Sequence, residues 1–89
     1  MYTNVVHSTV DMTRLAEAIA GIDGVKRRLT AMNGFKKAYW LQPIDGRGMH
    51  VSLWEDEATA KAAAFSIGSS PAPGVVVERV ETRAVIGEA

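Results

Sequence analysis

The chain has 89 residues, 47% apolar and 22% charged, a balance that suits one globular domain over residues 1–89 and leaves no room for a second core. Ten basic and ten acidic residues cancel, so no strong field recruits nucleic acid or an anionic membrane, and no stretch approaches the ~18 apolar residues that span a bilayer. Cysteine is absent, which removes disulfides, thiolate metal sites and cysteine nucleophiles and is compatible with a cytoplasmic location.

The run from Tyr2 to Val10 is rich in β-branched residues and free of Gly and Pro, and reads as a first strand. Asp11 is then placed to cap a helix whose apolar stripe is Leu15, Ile19, Ile22, Val25, Leu29 and Met32, at steps of three and four. Gly21 and Gly24 interrupt that stripe and predict a bend or break, and Asn33-Gly34 supplies a C-terminal stop. Phe35–Pro43 reads as an aromatic second strand and Met49–Trp54 as an alternating third, joined by a hairpin at Asp45-Gly46. Glu55 and Asp56 open a second, alanine-rich helix through Ile67, and the Gly68–Gly74 segment, rich in Pro and Ser, ends it. Val75–Ile86 is the last strand.

The order strand, helix, strand, strand, helix, strand predicts an α+β, ferredoxin-like β-α-β-β-α-β sandwich with both helices on one face of a four-stranded antiparallel sheet. Simple alternation along the last strand puts Val76, Val80, Ala84 and Ile86 on one face and Val75, Val77 and Val85 on the other. A strand apolar on both faces needs cover on both, and a chain this short has no third layer. A homodimer, sheet against sheet, is therefore expected.

These features resemble the dimeric α+β barrel superfamily, and within it the antibiotic biosynthesis monooxygenase-like (ABM) domains. The resemblance rests on a long first helix ending in AMNGF, the strand KKAYWLQ, the hairpin DGRG, and HVSLWEDEATAKAAA, in which a strand ends in Trp before an acidic helix start. It implies a dimeric α+β barrel and, among activities, cofactor-independent oxygenation of aromatic compounds, heme degradation or isomerisation. The oxygenase and heme-degrading relatives keep their ligand between sheet and helices, near a first-strand Asn and the Trp ending the third strand; the matching positions are Asn4 and Trp54. The heme degraders also carry a His on the second helix, which this sequence lacks, a departure that argues against heme unless His7 or His50 replaces it.

Period two places His50, Ser52 and Trp54 on one sheet face, and an imidazole there suits proton transfer. Asn4 offers a hydrogen bond to a ligand oxygen, and Trp54 either stacks on a flat ligand or plugs the core. Asn4 and His7 have opposite parity and face different sides. Tyr39 and Trp40 split between the two faces as packing residues, Lys26-Arg27-Arg28 reads as a solvated face, and the Glu55–Glu57 carboxylates are explained by a helix N-terminus. No phosphate loop, nucleophile elbow or metal-ligand spacing is present, so no cofactor or metal is expected. Two readings follow: a cofactor-independent monooxygenase acting on a phenolic or polyketide-like aromatic molecule, with His50, Trp54 and Asn4 at its site, or a non-catalytic dimeric ligand-binding or accessory protein.

Overall fold

In the computed structural model, which describes all of Met1–Ala89, four strands and two helices follow the predicted order. β1 (Tyr2–Val10), α1 (Leu15–Thr30), β2 (Phe35–Ile44), β3 (Arg47–Trp54), α2 (Glu57–Ala63) and β4 (Val75–Ala84) build a sheet of order β2-β3-β1-β4. Every neighbouring pair is antiparallel, which gives the ferredoxin-like α+β topology. No helix is long and apolar enough to cross a membrane.

Local chemistry accounts for most element ends. Asp11 accepts a hydrogen bond from the Thr13 N–H at 3.0 Å and caps a short 3-10 turn, Met12–Arg14, that leads into α1. The expected break in α1 does not occur: the helix runs unbroken through Gly21 and Gly24 to Thr30. Gly21 has a packing reason, because a Cβ there would lie 2.8 Å from the Ala72 Cβ. The hairpin turns on Asp45 (φ 52°) and Gly46 (φ 75°), the pair of positive φ values that a two-residue type I′ turn needs. Asp56 caps α2 through the Thr59 N–H at 2.8 Å in a reciprocal capping box.

α2 is shorter than the alanine-rich sequence predicts. It stops at Ala63, Ala64 is extended (ψ 135°), and Ala64–Gly74 forms the connection to β4. The core between the sheet and the two helices holds Val6, Val25, Leu29, Trp54, Ala60, Ala63, Phe65 and Val77. On α1 the inward line is Ala18, Ile22, Val25 and Leu29, whereas Ile19, expected in that line, is 57% exposed.

The face assignment of β4 also departs from simple alternation. His7 pairs with Arg79 and Ser8 with Val77, so Glu78 has no partner and forms a β-bulge. The bulge turns Val80 and Thr82 to the helix side with Val77, and leaves Arg79, Glu81 and Arg83 on the other face. Ile86 lies beyond the strand and is fully exposed. The apolar character of the open face comes instead from β1, β2 and β3: Val5, Val51 and Leu53 are half-buried there, flanked by exposed Tyr39, Leu41 and Met49.

Candidate functional site

A buried polar strut lies at the end of α2. Because the Ala64 N–H bonds to the Lys61 carbonyl, the Ala60 carbonyl has no partner within the helix. The Asn4 side-chain amide donates to it at 2.7 Å, and the Asn4 Oδ1 accepts from the Thr82 hydroxyl at 2.7 Å. Asn4 is 2% exposed, and both ends of its amide are engaged in holding α2 to β1 and β4. Trp54 is fully buried beside it, donating from Nε1 to the Ser52 hydroxyl at 2.8 Å and meeting Phe35 edge-on at 5.5 Å between centroids. This end of the sandwich is closed.

The early end of α2 has a consequence for the next residue. The extended backbone at Ala64 turns Phe65 inward, where it is 7% exposed, and brings its ring to 5.8 Å from that of His50. The guanidinium of Arg28 covers the outer face of Phe65 at 4.7 Å, a cation–π contact at a position the sequence reads as solvated surface. On the other side His50 is stacked on Trp40, ring centroids 4.6 Å apart and 11° from parallel. His50 is thus held between two aromatic rings, 8% exposed.

Its Nε2 is the one buried side-chain nitrogen or oxygen in the chain with no hydrogen-bond partner. Native proteins rarely leave such a group unpaired, since doing so costs about 1–3 kcal/mol. Burial also pushes the imidazole pKa down to about 4, because the apolar surroundings penalise the charged form. At neutral pH the ring is therefore uncharged and carries one free lone pair.

His50 lines a cleft of about 100 Å³ between the sheet and α1. Fourteen of its nineteen lining residues are hydrophobic; Ile22 and Val25 come from α1, Trp40 and His50 from the sheet, and Phe65 and Ala72 from the connection between α2 and β4. Ile19 of α1, which also lines it, is exposed. Ser8 and His50 are the polar side chains in the lining.

Of the three residues singled out in the sequence, His50 lines the cleft, whereas Asn4 and Trp54 lie outside its lining. His50, Ser52 and Trp54 do share the helix-side face, and all three are buried. His7 is on the opposite face, within 3.1 Å of Arg79 and 3.8 Å of Glu81. Trp40 and Phe65, which flank the imidazole, were not among the expected site residues. No group of three or more His, Cys, Asp or Glu side chains converges anywhere to hold a metal ion.

Comparison with known proteins places this geometry in a fold class. No protein-family model matches the sequence, and no curated protein matches it. Among solved structures the chain is similar to the heme-degrader MhuD from Mycobacterium tuberculosis with two hemes bound in its active site, at TM-score 0.71 and 16% identity, covering 100% of this chain and 99% of that one. A heme-free crystal structure of the same heme-degrading protein, with cleaved protein, gives TM-score 0.72 at 16% identity over the same spans. The chain shares its fold end to end with that protein.

Proposed function

We propose that the chain binds a small hydroxylated aromatic molecule in the cleft beneath α1, with the hydroxyl donating to His50 Nε2, and acts on it as a cofactor-independent monooxygenase. The observation that carries this reading is the unpartnered, buried Nε2 of His50, a residue that lines an apolar cleft. An apolar pocket with one convergent polar group is the usual form of a site for such a ligand.

The chemistry balances without an outside reductant. A phenol's para carbon gains one oxygen atom of O₂, the second leaves as water, and the ring becomes a quinone: C₆H₆O + O₂ gives C₆H₄O₂ + H₂O. The electrons come from the phenolate, so the protein's part is to hold the ring, accept the hydroxyl proton at Nε2 and keep water away.

A second reading, binding without turnover, is favoured by the low basicity of His50. Transfer of a proton from a phenol of pKa ~10 to an imidazole near 4 is uphill by about 8 kcal/mol before the resulting ion pair is stabilised. That cost selects for acidic phenols. Oxygen uptake with 3-hydroxyacetophenone, an acidic phenol whose carbon para to the hydroxyl is free, measured beside binding of the same compound, decides between the two. Uptake that is lost in His50→Phe supports the monooxygenase; binding without uptake leaves the accessory role; neither removes both.

The residues do not fit a heme. A cavity of roughly 150 Å³ holds one benzene ring, and a cleft of about 100 Å³ is far too small for a macrocycle. α2 carries no His, His7 is on the far side of the sheet, and His50 is enclosed between the Trp40 and Phe65 rings.

A homodimer across the open sheet face belongs to the same proposal. It is supported by the half-buried Val5, Val51 and Leu53 and the exposed Tyr39, Leu41 and Met49 around them, an apolar surface with no cover within the chain.

A further inference from the structure

We infer that the ligand is a single-ring phenol, and that Phe65 sets this limit by closing the end of the cleft beside His50; this rests on the binding reading above. The volume is the first argument. A space of about 100 Å³ is smaller than the roughly 150 Å³ that holds one benzene ring, so a single-ring phenol already fills it and reaches its open side, and a fused second ring finds no enclosed room.

The second argument is that the walls have little room to retreat. α1 is seated on the Ala64–Gly74 connection at Gly21, where even a methyl group would lie 2.8 Å from the Ala72 Cβ and 3.1 Å from the Pro73 Cδ. That connection is in turn tied to β4 by backbone hydrogen bonds, Gly68 N–H to the Val77 carbonyl at 2.7 Å and Val77 N–H to the Ser69 carbonyl at 2.9 Å. On the sheet side the Trp40–His50 stack is part of the β2–β3 ladder.

Phe65 is the wall whose position the sequence controls most directly. It points inward because α2 stops at Ala63, and α2 stops with its free Ala60 carbonyl held by Asn4. Arg28 then covers the ring from outside. A smaller residue at position 65 opens the end of the cleft without removing the hydrogen-bonding group.

Binding of phenol, 4-methylphenol, 1-naphthol and 1,8-dihydroxyanthrone to the unmodified protein, measured by titration calorimetry, tests the limit. Apolar area alone favours the larger compounds, so an inverted order is diagnostic. The expected result is saturable binding of the two single-ring phenols, at least tenfold weaker binding of 1-naphthol, and none of the anthrone. Phe65→Leu, or Ile22→Ala if the first variant fails to fold, is expected to bring 1-naphthol to within a few-fold of 4-methylphenol. Equal or tighter binding of 1-naphthol by the unmodified protein overturns the size limit and leaves the proposed function standing. Refusal of all four compounds overturns both.

Discussion

Trp40 and His50 face each other across the β2–β3 ladder as direct partners, their rings 4.6 Å apart and nearly parallel. The stack fixes the plane of the imidazole and, with Phe65 on its other side, removes it from water. Both properties of the candidate site follow from this pair: an unpartnered Nε2 held in one orientation, and a ring that resists protonation.

That resistance makes stability depend on pH. The folded-state pKa of His50 is about 4 against an ordinary 6.5, so between these values the unfolded chain binds more protons than the folded one. Stability is therefore unaffected by this group above 6.5 and falls as pH drops from 6.5 to 4, by about 3 kcal/mol at most. Asp11 and Asp56, whose carboxyls Thr13 and Thr59 hold below 3.8 by hydrogen bonding, add their own loss only in more acidic solution. Urea midpoints at pH 7, 5.5 and 4.5 are expected to decline in the unmodified protein and to decline much less in His50→Phe. Parallel curves for the two proteins contradict the assignment.

Asn4 is expected to matter for stability through its two partners. Replacing it by Leu leaves the Ala60 carbonyl and the Thr82 hydroxyl without their bond and costs about 1–3 kcal/mol. Thr82→Val removes one of those bonds and costs less, and the double variant is expected to show a coupling energy above about 0.5 kcal/mol. Strict additivity of the three denaturation midpoints would show that the pair does not act as a unit.

The two neighbouring positions Arg28 and Leu29 separate surface from core. Leu29 is 1% exposed, so Leu29→Ala is expected to cost about 2–5 kcal/mol. Arg28→Ala is expected to cost about 0.5–1 kcal/mol, the value of an exposed cation over an aromatic face, rather than nothing. Equal midpoints for the two variants contradict the packing of α1.

The order of elements, the hairpin turn and the grouping of His50 with Ser52 and Trp54 are legible in the sequence, because turn chemistry and periodicity are local properties. What the sequence does not reveal is where strands slip. Ile44 pairs with Arg47 but Leu41 with Met49, so the strand is irregular near Pro43, and this shift carries Trp40 to the helix side opposite His50. Continued in the register of the turn, Trp40 would face Val51 on the open side. The bulge at Glu78 acts likewise on Val80. Two residues decide these faces, and neither leaves a trace in the alternation of apolar residues. The early end of α2 was hidden for a related reason: alanines favour a helix through residue 64, and the tertiary contact of Asn4 with the freed Ala60 carbonyl is visible only in three dimensions.

The open sheet face gives a prediction about assembly. Sedimentation at micromolar concentration is expected to give twice the 9.6 kDa chain mass, and Val51→Asp, at the centre of that face, is expected to give the monomer. A stable monomer in the unmodified protein sinks the homodimer.

The central claim is that His50 Nε2 receives the hydroxyl of a bound phenol, and the ¹⁵N resonances of the two histidine rings report on it directly. During titration with 4-methylphenol at pH 7, the Nε2 signal of His50 is expected to shift saturably, as a lone pair does on accepting a hydrogen bond, while that of His7, on the opposite sheet face, stays in place. A His50 signal that does not move at saturating ligand, or that moves only together with His7, contradicts the account.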